Sequence, residues 1–454
     1  MNQILKDYTR RLEDLGTHLG LDYYPVDFEV VPPSFMMEVA VYGLPVRMPH
    51  WSFGVRYIYQ FVQHRMGNSH LFEVVFPGNP GRAFMAETNN LAENTLVTAH
   101  VLGHADFSKN NALFRRGQEE VGYHIVEQAA AHAHQITEAL EEHGQRAVER
   151  VLDAALALEQ HIDPHAGLRR PRYPVYESPA SAPPSDDFLD RFRNLPGQPD
   201  NLAPRQDRRR APLPPHPEKD LLWFIAEYAP QMEDWERDIF HAVRQESFYF
   251  QPVYSCQIMN EGWACLWHTT LLREADFLPQ DLFLDAMKTH SDVVRPYAGE
   301  QQVALAINPY HVGFVMWSHI VRDHGFEAAR RIMEQEDDFG FVRNHLSDEL
   351  IKEMDLFHYH QRQDGEIRVS EQDNDALRES LVADKFNFGA PHIEASEVRS
   401  DGTLVLRHNH AIDGRGLDLN RSDKVLEYVN RVWRRPVMLY TINDRDEEVI
   451  RLAG

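Results

Sequence analysis

Glu87-Thr-Asn-Asn-Leu-Ala-Glu-Asn-Thr-Leu-Val-Thr-Ala-His100-Val-Leu-Gly-His104 is a mixed polar and apolar run that reads as one helix with two imidazoles near its end. Successive helical residues turn by about 100°, so His100 and His104 stand about 40° apart on one face, one turn above the other. Two nitrogen ligands so placed can grip one metal ion. The competing reading is that two histidines four apart, in a chain with 25 of them, only pack or cap a helix end.

The same spacing occurs in the H-E-x-x-H zinc peptidases, where the Glu after the first His is the general base. Here that position is Val101. The metal-binding half of the motif is present, and the proton-handling half is missing or lies elsewhere in the chain. Far downstream, Met259-Asn260-Glu261-Gly262-Trp263-Ala264-Cys265-Leu266-Trp267-His268 reads as a second helix bearing one acid among aromatics. Its Asn-Glu-Gly-Trp-Ala core resembles the segment by which gluzincin aminopeptidases supply a third ligand, a Glu, from a second helix. His100, His104 and Glu261 then make a candidate metal site of two imidazoles and one carboxylate, a set that in catalytic zinc leaves a position open for water.

A chain of 454 residues, 43% hydrophobic, is long enough for two or three domains with real cores. Its 46 basic residues stand against 70 acidic ones, a formal charge of −24. Such a surface argues against nucleic acid as main partner, because phosphate binding needs clustered Lys and Arg. The start, Met1-Asn2-Gln3-Ile4-Leu5-Lys6-Asp7, lacks a signal-peptide pattern, and no run of about 18 apolar residues suggests a membrane span. The expectation is a soluble, cytoplasmic protein. Cys256 and Cys265, without a C-x-x-C pattern, make neither a disulfide framework nor a good metal site.

Periodicity predicts a mainly helical chain with short strands, an α+β protein. Residues 1–163 form a helical part carrying the His-x-x-x-His helix, opened by an amphipathic helix over 2–20. Within it, Val26–Val31 reads as extended, Leu71–Phe76 as a strand closed by Gly78-Asn79-Pro80-Gly81, Asp106–Asn111 as a helix exit into a polar loop, and 117–162 as two long helices. Residues 164–217 are a Pro- and Arg-rich surface excursion or disordered insertion, with a short helix possible around Asp186–Phe192 and a mild basic bias that makes it a candidate docking arm. Residues 218–360 belong to the same helical domain and carry the Asn-Glu-Gly-Trp-Ala helix, preceded by an extended aromatic piece, Phe248–Val253, and followed by a helix that Asn308 caps with Pro309 at its first position. Residues 361–454 read as a small C-terminal α+β domain, with strands around 366–370, 393–398, 403–408 and 436–441, a helix from Ser422 to Trp433, and Gly402 in a hairpin turn.

Taken together, these motifs resemble the SpoVR family, the bacterial stage V sporulation proteins R and their YcgB-like members. The resemblance rests on Met48-Pro49-His50-Trp51-Ser52-Phe53-Gly54, Ala99–His104 with Lys109-Asn110-Asn111, Met259–Ala264 with Trp267-His268, and Ile307-Asn308-Pro309-Tyr310 with Gly313-Phe314. It is looser at Leu406-Arg407-His408 and Trp433–Val437. It implies a link to spore cortex formation, hence peptidoglycan, and a module with a PrkA-type serine kinase and a YhbH-type protein as partners.

If His100, His104 and Glu261 hold a divalent metal, zinc first and iron second, a coordinated water would be acidified and a carbonyl polarised by the same ion. A base must then take a proton within hydrogen-bond reach. The catalytic candidates are Glu87 and His268. Glu87 lies about 20 Å from His100 along a straight helix, so it can serve only if the helix begins later and the chain folds back. His268 shares the Glu261 face two turns on and could equally be a further ligand. His50 and His290 are outer candidates, otherwise read as hydrogen-bonded core histidines. Three functions compete: a gluzincin-like amide or peptide hydrolase, a catalytically silent metal-binding scaffold in the kinase module, and a non-haem iron enzyme. Without a metal, His100 and Glu261 would be a paired core joining two helices.

Overall fold

A capping box decides where the histidine helix starts. Asn90 Oδ1 accepts from the Glu93 amide at 2.9 Å, and Glu93 Oε2 accepts from the Asn90 amide at 2.7 Å. Both satisfy amides that a helix start leaves bare. The helix therefore spans Leu91–Asn110, beginning after Glu87 and running on beyond His104. The polar loop expected at Asp106–Asn111 is instead helix up to a joint, where the Asn111 side chain accepts from the Leu113 and Phe114 amides and starts Ala112–Val121.

The computed structural model describes residues 1–65, 72–174, 212–295, 308–356, 359–361, 367–369, 373–383, 385–443 and 445–454. The helix expected around Asp186–Phe192, and most of the proposed docking arm, lie outside the described residues. Among the described residues, no helix is long and apolar enough to cross a membrane.

The histidine helix is buried almost all round from Asn94 to Ser108, the pattern of a central helix. Against it pack Gln3–Leu19, Gln257–Glu274, Gln280–Val294 and a three-stranded sheet. That sheet joins β1 (Val26–Val31), β2 (Glu73–Phe76) and β3 (Gly81–Ala86) in the order β1-β3-β2, with β1 parallel and β2 antiparallel to β3. Strand β3 is not foreseen because it is buried on both faces and shows no alternation.

The helical run expected over 117–162 is cut into Ala112–Val121, Ile125–His143 and Gln145–Ala157. The cuts fall at Gly122 and Gly144, whose φ of 86° and 82° end one helix before the next can begin. Phe248–Val253, expected as extended, lies inside the helix Asp234–Ser255.

Towards the C-terminus, β4 (Tyr359–Gln361) pairs with β5 (Ile367–Val369), and a second sheet orders β6 (Ile393–Val398), β7 (Leu404–His408), β8 (Val437–Ile442) and β9 (Glu448–Ala453) in sequence. The parallel pair β7–β8 is bridged by the helix Leu419–Trp433, and Gly402, at φ 88°, turns β6 into β7. This unit shares its core with the helical part. Leu426, Val429 and Trp433 join Val148, Leu152, Phe224 and Phe240 in one cluster. The Trp433 ring stacks on Phe224 at 6.1 Å, and Arg434 grips the Glu236 carboxylate at 2.6 and 2.8 Å. A second core gathers Met259, Trp263, Trp317 and Phe341 around the Gln257–Glu274 helix, and Asn374–Ala383 adds Leu377 and Val382 to it.

Candidate metal centre

Two close helix crossings set the frame. A Cβ on Gly262 would fall 2.2 Å from the Gly313 carbonyl carbon, so Gln257–Glu274 and Pro309–His324 touch backbone to backbone. A Cβ on Gly103 would fall 2.7 Å from the Ala264 Cα, so the histidine helix is nearly as close on the other side. Only glycine permits either approach. The two crossings sit beside the candidate ligands Glu261 and His104.

Buried carboxylates lock this frame. Asp338 accepts from the Ile258 and Met259 amides at 2.8 and 2.9 Å and so caps the acid-bearing helix. Burial pushes its carboxyl up to about 7, against those two hydrogen bonds. Asp106 accepts from Trp263 Nε1 at 2.9 Å, from the Asp22 amide at 2.8 Å and from Arg330 at 3.0 Å, which ties the histidine helix to three neighbours.

Within the frame, the His100 and His104 rings stand edge to face, 4.5 Å between centroids. Each presents its Nε2 at 3.4 Å from the same atom, Glu261 Oε2. Their Nδ1 atoms are already engaged, His104 with Asn260 Oδ1 at 2.9 Å and His100 with His268 Nδ1 at 2.9 Å. His268 Nε2 in turn meets His290 Nδ1 at 2.7 Å. An Asn oxygen can only accept, so His104 donates from Nδ1 and, in its neutral form, has its lone pair on Nε2. If His100 likewise donates from Nδ1, its own Nε2 is a lone pair too. Metal-binding histidines are held in this way, the far nitrogen donating to a fixed partner.

Two observations test whether these residues fit a metal. His100 Nε2 and Glu261 Oε2 are buried without a hydrogen-bond partner, although they face each other. Such orphaned atoms are costly unless something not made of protein pairs with them. The spacing supplies the second observation. Tetrahedral zinc with ligand bonds of about 2.0–2.2 Å sets neighbouring ligand atoms roughly 3.3–3.6 Å apart, which brackets both 3.4 Å separations. The three ligand atoms lie within 4.8 Å of one another.

The electrostatics agree. Burial opposes ionisation of Glu261, yet His104 and His100 hold its carboxyl well below the usual range. Burial likewise opposes a charge on His104, but Glu261 and then the Asn260 contact raise its pKa. The proton that Glu261 draws onto His104 is the charge a cation would replace. Behind them, burial and the neighbouring imidazoles lower His268 well below the ordinary value, and burial and His100 bring His290 to about 4. Cys265, with His100 and His268, forms an overlapping ligand group. That group needs a thiolate, and burial followed by the charges of Glu261 and Glu73 pushes the Cys265 thiol well up.

Two further side chains enclose the centre. Glu73, from β2, places Oε1 3.9 Å from His100 Nε2. Burial raises its carboxyl pKa, with His100 opposing and Glu261 adding to the rise. Tyr310 lies over His100 with the rings 6.2 Å apart and 21° from parallel, and the Glu261 charge, then burial, raises its phenol well above the usual value.

The family model described as "SpoVR like protein" matches residues 1–390, and the one described as "SpoVR-like C-terminal domain" matches 391–444. The chain belongs to the SpoVR family. It is similar to the uncharacterized protein YcgB of Escherichia coli (strain K12), 29% identical over 483 residues, covering 97% of this chain and 92% of that relative. No solved structure matches it.

The structure of this SpoVR chain sorts the residues singled out in its sequence. His100 and His104 of one helix meet Glu261 of another, 161 and 157 positions further along the chain. His268 joins them, but behind His100, on the nitrogen turned from Glu261. Glu87 is exposed ahead of the Asn90 cap, with its amide donating to the Val31 carbonyl at 2.9 Å, and is not in the ligand cluster. His290 is the outer partner of His268, while His50 is a core histidine bonded to Ser52 and Asp153. Glu73, Asn260 and Tyr310 carry no assigned role in the sequence reading. A lone acid in the apolar stretch Leu71-Phe-Glu-Val-Val-Phe was the available signal for Glu73, and Asn260 stands directly before Glu261.

Proposed function

We propose that this SpoVR protein is a metal-dependent hydrolase that binds one divalent ion, zinc by fit, through His100, His104 and Glu261 and cleaves an amide bond. The observation that carries the reading is the pair of imidazole Nε2 atoms, each 3.4 Å from one carboxylate oxygen and each backed by a fixed Nδ1 contact. When bound, the ion would acidify a water and polarise a carbonyl. The chain's own part is to hold three ligands and leave the rest of the coordination sphere to solvent and substrate. Tyr310, kept neutral beside Glu261, has a hydroxyl to offer a developing oxyanion. The sporulation link in the family's name makes a cell-wall peptide amide the first substrate class to try, and a PrkA-type serine kinase and a YhbH-type protein are the partners we propose from the resemblance.

Two other readings each have an observation in their favour. A silent metal-binding scaffold is favoured by Val101, fully buried where the zinc peptidases place their base. A non-haem iron enzyme is favoured by the ligand count, two histidines and one carboxylate. Elemental analysis of protein purified without chelator or affinity metal, beside His100→Ala, separates them. We expect about one zinc per chain, lost in the variant. Stoichiometric iron would move the assignment to redox chemistry, and no metal in a folded wild type would leave the scaffold.

A further inference from the structure

We propose that Glu73 is the proton acceptor of this centre, reaching in from strand β2 to do what position 101 does not; the inference rests on the hydrolase reading. Val101 is fully buried in a cluster with Leu5, Ala83, Met85 and Val97, so the histidine helix turns that position into the sheet rather than towards the ligands. A carboxylate there would be stranded among apolar side chains. The sheet supplies the acid instead. Met85 of β3, which packs with Val101, is the register partner of Glu73.

The placement of Glu73 suits a base and not a ligand. Its Oε1 is 3.9 Å from His100 Nε2, yet it falls outside the set of ligand atoms that lie within 4.8 Å of one another. It therefore lies beside the three ligand atoms without completing their set, where a water held by them would come within hydrogen-bond reach of its carboxylate. Its side chain keeps 17% exposure, and no described residue donates a hydrogen bond to its carboxylate, which is left to accept from solvent. His268, the other acid–base candidate, has both ring nitrogens occupied by His100 and His290.

The step balances without a further reagent. A water oxygen forms the new C–O bond to the amide carbon, and its proton passes to the Glu73 carboxylate. The C–N bond then breaks with its electron pair moving to nitrogen, which takes the proton back from Glu73. A carboxylic acid and an amine leave, and Glu73 is restored.

Zinc content and acetohydroxamate binding, compared between wild type and Glu73→Gln, test the assignment. Acetohydroxamate chelates a metal and gives up a proton that an adjacent carboxylate accepts. We expect Glu73→Gln to keep the wild-type zinc content and melting temperature while binding acetohydroxamate about tenfold or more weakly. Glu73→Asp, which keeps the charge on a shorter arm, should fall between the two. Equal binding by Glu73→Gln would overturn the proposal, as would loss of zinc matching that in His100→Ala, which would make Glu73 a ligand. A wild type without zinc overturns the hydrolase reading as well, and is recognised before any Glu73 variant is compared.

Discussion

Among the described residues, two clusters each gather histidines around a carboxylate, and they differ in what is left unpaired. In the C-terminal unit, Asp413 accepts from the His392 amide and ring and from His408 Nε2 at 2.7 Å, while His408 Nδ1 meets Thr441 Oγ1 at 2.8 Å. Protein partners fill that network. Around Glu261 the Nδ1 atoms are equally well held, but His100 Nε2 and Glu261 Oε2 are left without a hydrogen bond. A satisfied cluster fastens a short helix to a sheet, whereas one with aligned lone pairs has capacity for a ligand. Counting histidines would rank the two alike; counting unpaired atoms separates them.

The comparison can be broken most forcefully at the helix crossing. Gly262→Ala would push a methyl group into the Gly313 backbone, where no flexible side chain can yield. We expect a loss of about 3 kcal/mol or more in urea unfolding, with zinc retention falling alongside. Stability within about 0.5 kcal/mol of wild type would mean that the crossing does not position Glu261.

Asp413→Asn probes the other cluster. It should cost about 1–3 kcal/mol and leave zinc content unchanged, since it removes a buried hydrogen-bonded acceptor far from the ligands in the sequence. Burial opposes ionisation of Asp413, but hydrogen bonds from His392 and His408 hold its carboxyl well below the usual range. Its folded pKa is therefore depressed. The stabilisation it gives is present above the unfolded carboxylate value of about 4 and drains away as the pH falls further. Unfolding followed below about pH 4 should show wild type losing more stability than Asp413→Asn; parallel losses would refute the role.

Glu87→Gln should do least, changing stability by no more than about 0.5 kcal/mol and leaving zinc in place, because the residue is exposed. Lost zinc would return Glu87 to the centre and weaken the case for Glu73.

What could be read from the sequence is what is written locally. His100 and His104 are one turn apart on one helix, and Asn308 with Pro309 announces a helix start, so spacing alone places them. The link from His104 to Glu261 needed a resemblance, because nothing in periodicity joins two distant helices. Glu73 was out of reach for a different reason. Its role depends on β2 pairing with β3 and on β3 lying against Val101, and β3 itself shows no alternation to reveal it. Phe248–Val253 misled through composition, since aromatic residues favour strands until a helical core claims them.

The contact of Gly262 with Gly313 also says where this centre can give way. Glu261 and Tyr310 ride on two helices with no side chain between them to compress, so those two elements behave as an anvil. Among the described residues, strand β2 has a strand neighbour on one side only. The centre is thus held between one rigid wall, which carries Glu261 and Tyr310, and an edge strand, which carries Glu73.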